Sequence, residues 1–364
     1  MIPESIMAGI SLLSGVHMKM PSISFAFVFL ATLSVLWAQE SPDAVTGASE
    51  GAAPAGPSGL GFHFYGDFDI ETAAAGDFSG KPTFTFKQNH QALLIQAPGN
   101  QEISVFADIF HPNDLFELGL TFGGHRLTLG RILIPFGEFG IHHLYGGRQD
   151  DEGIFLPKLW SDYGLSLKSP LGETLALELY AVNGFDPAGF VSAAAAPRFH
   201  AVGSVDSGLA KAVGARLRFE PVSEFWTSAS LYQDFYADDP DRSVTLAGVD
   251  SGIRIGSLGL KAGIVVSAIR GPEFDDFFRW ADYAEINYDF TEALAVRARA
   301  GSMDGDTRVS NGEDQNNVNI GLLWNTGYVE YDLVYFRNLS GNAFADDPVV
   351  SDKHQVLLKV LFSL

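Results

Sequence analysis

The chain contains no cysteine. That removes disulfides, thiol nucleophiles and cysteine metal sites. Outside its N-terminal region it has no apolar run near twenty residues, so a bundle of membrane-spanning helices is excluded. Basic residues are scarce: 23 Lys and Arg stand against 44 Asp and Glu, for a formal charge of −21. Nucleic acid is therefore a poor partner, because phosphate binding needs clustered Lys and Arg.

What is abundant is glycine and phenylalanine, 39 and 29 of 364 residues, with 46% hydrophobic residues overall. A soluble chain of this length could hold about two domains. It could equally form one large closed sheet.

The N-terminus reads as an export signal. Met18-Lys19-Met20 is a short basic start, and Ile23 to Leu36 (ISFAFVFLATLSVL) is an apolar core too short to span a bilayer. Cleavage is expected after Ala38, although Leu36 is larger than the usual residue there. The first seventeen residues read as an extension upstream of Met18. Ser41 to Gly59, rich in Ala, Gly, Pro and Ser, reads as a flexible linker. The expected division is 1–38 extension and signal, 39–59 linker and 60–364 barrel.

From Leu60 onward the dominant period is two. In LGFHFYGDFDI, Leu60, Phe62, Phe64, Phe68 and Ile70 share one face, and His63, Tyr65, Asp67 and Asp69 the other. The alternation recurs in TLALELYAVNG, VGARLRFE, YAEINYDF, NNVNIGLLW and QVLLKVLFSL. Short turns such as Gly123–Gly124, Ser169–Gly172 and Gly256–Ser257 alternate with long connections. The long ones centre on Glu71–Pro82, Phe136–Trp160, Gly184–Gly208, Tyr236–Asp241, Gly271–Arg279, Ser302–Gln315 and Ser340–Lys353. His111–Asn113 breaks the rule, being short where a long loop is due. The pattern predicts an all-β transmembrane antiparallel barrel of about 16 strands, short turns inside and long loops outside, in a bacterial outer membrane. Trp160, Trp226, Trp280, Trp324, Tyr331 and Tyr335 are expected in the interfacial girdles. The terminal Phe362-Ser363-Leu364 resembles the insertion signal of outer-membrane proteins, with Leu where Phe is usual.

One stretch, Gly130 to His143 (GRILIPFGEFGIHH), breaks the alternation. Leu127–Ile134 reads as the fifth strand, which makes Pro135–Trp160 the third external loop. Pro135 cannot donate to a ladder, and Gly137 and Gly140 allow a sharp change of direction. The segment is about twenty-five residues without clear periodicity, and loops of that kind are usually functional. It is expected inside the barrel as a constriction, with Pro135, Phe136 and Gly137 at the corner. Arg148, Asp150, Asp151 and Glu152 would face the passage.

Strand parity nominates the lumen wall. Arg126, Arg216, Arg218, Arg297 and Arg299 are the basic candidates. Asp67, Asp69, Glu117, Glu178, Glu285 and Asp289 are the acidic ones, and Tyr65, Tyr180, Tyr232, Asn317 and Asn319 add neutral polarity. Opposed charges at a constriction would sort small polar solutes. The alternative is that these charges only pair and solvate the wall. His142 and His143, with Asp150 and Asp151 nearby, offer metal donors, but adjacent residues on an extended chain point opposite ways. No metal and no cofactor is expected.

The GRILIPFG segment, Gly130 to Gly137, resembles the glycine-to-PFG segment of the phosphate-selective porin O and P family and its broader porin relatives. Ala181-Val182-Asn183-Gly184-Phe185 is similar to that family's strand-ending Asn-Gly. Gly214–Phe219 followed by Pro221 is similar to its central Gly-Arg strand, and Tyr283–Tyr288 to its late Tyr-x-x-x-x-Tyr strand. The resemblance implies a sixteen-stranded trimeric channel. Phosphate selectivity is not carried over, since it depends on clustered basic residues. The expected function is passive diffusion of small polar solutes or ions, not catalysis. Expected partners are outer-membrane lipid and lipopolysaccharide, the barrel-assembly machinery and two further copies of the chain. A barrel hydrolase would need a Ser, a His and an orienting group converging on the wall. An adhesin or structural barrel would suit about eight or ten strands better.

Overall fold

The structure is a computed structural model, and it describes residues 61–75, 83–96, 103–108, 116–137, 161–184, 211–235, 242–271, 274–304, 314–327, 329–338 and 353–363. The extension, signal and linker expected over 1–59 lie outside these residues.

The regular elements among the described residues are all strands. They are β1 (Gly61–Ala75), β2 (Thr83–Gln96), β3 (Ile103–Asp108), β4 (Phe116–Phe122), β5 (His125–Leu133), β6 (Ser161–Pro170), β7 (Leu175–Val182) and β8 (Ala212–Val222). The second half comprises β9 (Phe225–Asp234), β10 (Ser243–Ile255), β11 (Leu258–Gly271), β12 (Phe274–Thr291), β13 (Leu294–Asp304), β14 (Asp314–Asn325), β15 (Val329–Asn338) and β16 (Lys353–Ser363). Each pairs with its sequence neighbour, and β1 pairs antiparallel with β16, so the sheet closes on itself. Closure leaves no strand edge to satisfy, which is the condition a sheet must meet inside lipid.

At one end the connections are tight. Gly123 and Gly124 both hold positive φ, 54° and 83°, as a two-residue hairpin of type I′ requires. At the other end the strands are separated by longer stretches of sequence, 134–160 between β5 and β6 and 183–211 between β7 and β8. One expected long loop is corrected: Gly271–Arg279 is mostly strand, because β11 ends at Gly271 and β12 begins at Phe274. Arg270 at the end of β11 lies 3.2 Å from Asp276 on β12.

The two faces invert the ordering of a soluble protein. Leu217, Leu231 and Ile320 are 41%, 50% and 50% exposed on the outer face, whereas Asp250, Arg299 and Asp332 are 0%, 3% and 2% exposed inside. Register carries this around the wall: Leu217 pairs with Leu177 and Ala229, while Arg216 pairs with Glu178 and Ser230. Near the tight-turn end, Trp324 and Tyr331 stack at 5.3 Å and Tyr288 meets Phe290 edge-on at 5.0 Å, on the outer face. Trp226 is a correction to the expected girdle. It pairs with Gly252 and turns inward, where Arg218 lies over its ring at 4.6 Å.

Candidate functional site

The chain leaves β5 at a fixed point. The backbone N–H of Leu133, past the end of the β4 pairing, donates to Glu117 Oε1 on β4 at 2.9 Å. Phe136 N–H then donates to the Ile134 carbonyl at 2.8 Å, closing a tight turn around Pro135. The fixed φ of proline suits the central position of such an inverse γ-turn. Gly137 follows with φ of 55°, a conformation other residues rarely adopt.

Beyond that turn the contacts are with distant strands. Gly137 N–H donates to Ser230 Oγ on β9 at 2.9 Å, and its carbonyl accepts from Arg216 Nη1 on β8 at 3.1 Å. Phe136 is 1% exposed. Its ring lies against Gly248 on β10, where an added Cβ would sit 3.0 Å from the ring edge. Ser230, Arg216 and Gly248 all lie on the inner face, so the Pro135–Gly137 corner runs along the inside of the wall.

The charged wall candidates on β4, β5, β7, β8, β12 and β13 lie on the inner face, and most are paired. Arg216 Nη2 is 3.3 Å from Glu178. Arg126 donates to Ser104 Oγ at 3.0 Å. Farther round, Glu285 is the hub of a cluster, 3.5 Å from Arg299 and 4.0 Å from Lys261, and it accepts from Asn287 at 2.7 Å. The Arg299 guanidinium also covers the Tyr283 ring at 3.9 Å. Arg297 pairs with Asp332 at 3.1 Å, and Asn319, in register with Arg299, is buried. Arg218 and Asp289 lie toward the tight-turn rim, pairing with Glu220 and Arg254. Tyr180 and Tyr232 stack at 6.4 Å, the Tyr180 hydroxyl donating to the Leu231 carbonyl at 3.3 Å.

Asp67 and Asp69 stand on β1 in register with Leu361 and Lys359 of β16. Tyr65 and Asn317 are likewise strand residues, paired with Ser363 and with Gly301. His142, His143, Arg148, Asp150, Asp151 and Glu152 lie outside the described residues. Among those described, no group of three or more His, Asp or Glu is placed to hold a metal ion. The sequence did not single out Ser230, Gly248, Lys261 or Asp332. Parity alone could have put them on the inner face, but no local signal distinguishes a serine or glycine that meets a chain segment arriving from another strand.

No model of a known protein family matches the sequence, and neither does any curated protein. Solved structures do. The outer-membrane channel DcaP of Acinetobacter baumannii aligns with a TM-score of 0.58 at 11% identity, over 84% of this chain and 97% of its own. The anion-selective porin of Comamonas acidovorans gives 0.57 at 10% identity, over 84% and 99%. The fold is a porin fold. OmpF of Salmonella typhi, solved with daunomycin, gives 0.55 at 12% identity, over 84% and 97%. At these identities the likeness is one of architecture.

Proposed function

We propose that the chain is an outer-membrane porin, a water-filled channel for passive diffusion of small polar solutes or ions, with residues 135–160 folded inward as its constriction. The observation that carries this reading is the closed sixteen-strand sheet with charged side chains inside and large apolar side chains outside. Only a lipid surround makes such an exterior favourable, and only water or protein inside makes such an interior favourable. The paired charges of the wall suit orienting water and polar solutes, and the reading is of a channel rather than an enzyme.

The inward path of Pro135–Gly137 supports the constriction. The loop's apolar members Phe139, Ile141, Leu144, Tyr145, Phe155 and Leu156 would anchor it, each well-packed side chain contributing roughly 1.5–3 kcal/mol. Arg148 and the run Asp150, Asp151 and Glu152 would face water. The resemblance to the phosphate-selective porin O and P family supports the architecture through GRILIPFG. Phosphate selectivity is not part of the proposal, because Arg216, Arg297 and Arg299 each have a carboxylate partner. An export signal over residues 18–38, assembly by the barrel machinery, contact with lipopolysaccharide and a homotrimer complete the reading, with no cofactor.

Reconstitution in planar bilayers tests it. The parent is expected to give discrete ohmic conductance steps. Removing Leu144 to Gly153 should raise unitary conductance, and neutralising Asp150, Asp151 and Glu152 together should shift the reversal potential toward anions. Absence of steps from correctly folded protein would reject the channel. Parent-like conductance in both variants would place the loop outside the passage.

A further inference from the structure

We infer that Arg216, held by Glu178, is a positioning residue that latches the root of the third loop to the inner wall at β8–β10, together with Ser230 and a ring seat at Gly248. The inference rests on the constriction reading and assigns Arg216 and Glu178 a role other than setting the charge of the passage.

Four adjacent strands contribute, β7 through Glu178. Arg216 on β8 divides its two terminal nitrogens: Nη1 donates to the Gly137 carbonyl at 3.1 Å, and Nη2 lies 3.3 Å from Glu178 Oε2. Ser230 on β9 accepts the Gly137 N–H at 2.9 Å. Both backbone groups of Gly137 are therefore satisfied after the chain has left its ladder, where a buried unpaired N–H or C=O is costly. On β10, Gly248 leaves the space that the Phe136 ring fills, with ring carbons 3.0 and 3.2 Å from where a Cβ would stand.

The consequence concerns charge. The Arg216 side chain is 10% exposed and Glu178 15%. Their charges cancel at short range, and the guanidinium is occupied by a backbone carbonyl. Arg216 therefore adds little to the field in the passage and much to where the loop enters it. Ser230 and Gly248 carry no charge, yet on this account they belong to the same device.

Two measurements test the latch. In planar bilayers, Ser230→Ala, Gly248→Val and Arg216→Gln are each expected to raise unitary conductance by about 1.5-fold, with added open-channel noise. If Arg216→Gln alone changes the channel and the two uncharged variants behave as the parent, Arg216 acts through its charge and the latch is wrong. The second measurement does not depend on conduction. The chain has no cysteine, so Ile134→Cys, at a position 1% exposed, is the sole target for a polar methanethiosulfonate reagent. Labelling of folded protein should be slow in the otherwise parental chain. It should be about tenfold faster when Arg216→Gln or Ser230→Ala is added, because opening is then easier. Equal rates overturn the latch even where channels form. Faster labelling of a barrel that does not conduct sustains the latch and rejects the porin reading instead. Should Gly248→Val fail to fold, Gly248→Ala with Ser230→Ala carries the uncharged arm.

Discussion

Arg297 on β13 reaches over Gly321 of β14 to pair with Asp332 on β15, at 3.1 Å. The reach depends on the glycine, since a Cβ there would stand 3.2 Å from Asp332 Oδ1. The side chains are 9% and 2% exposed, so neither charge is offset by bulk water alone. Asp332→Asn should leave Arg297 without its carboxylate and lower stability by about 3 kcal/mol. Urea unfolding in lipid vesicles measures that loss. The same variant should move the reversal potential in a salt gradient toward anions, and Arg297→Gln should move it toward cations.

The outer face makes the membrane reading testable at single positions. Leu217 lies mid-strand on β8 and is 41% exposed. In a soluble protein, lysine at such a site would be nearly neutral. Facing the bilayer interior, Leu217→Lys should cost about 2–4 kcal/mol of folding free energy in vesicles. An unchanged folding free energy would contradict the assignment of this face to lipid.

Gly214 on β8 provides the space for Tyr180, whose ring atoms Cζ and Oη lie where a Cβ would be. Gly214→Val should displace the ring, break its hydrogen bond to Leu231 and destabilise the barrel by about 1–3 kcal/mol through overpacking. Adding Tyr180→Ala should recover part of the loss, because the ring then leaves that space while the Leu231 carbonyl still borders it. Thermal unfolding of the two singles and the double variant provides the comparison.

Closure depends on the last strand. Phe362 pairs in register with Gly66 on one side and Val329 on the other. Deleting Phe362 to Leu364 removes the end of both ladders. It should sharply reduce the heat-modifiable folded band recovered from outer membranes. Wild-type yield of that band would show that closure does not need these residues.

Sequence alone determined the kind of sheet and which residues share a face. Period-two patterning is enough for this, because a strand sends successive side chains to opposite sides whatever its neighbours are. Glu178, Arg216, Glu285, Arg297 and Arg299 were therefore legible as one set, and the Pro135 and Gly137 pair as a break in the ladder. The limits of that signal show at Gly271–Arg279, expected as a loop, where β12 already begins at Phe274. They show again at Trp226, whose ring was expected at the lipid interface but turns inward over Gly252. Tertiary structure decided the pairings. Whether Arg216 meets Glu178, or Arg297 crosses a glycine to Asp332, depends on register between strands far apart in the chain. Ser230 and Gly248 acquire their meaning only because a segment leaving β5 arrives beside them, and contacts at that separation leave no periodic trace in the residues that make them.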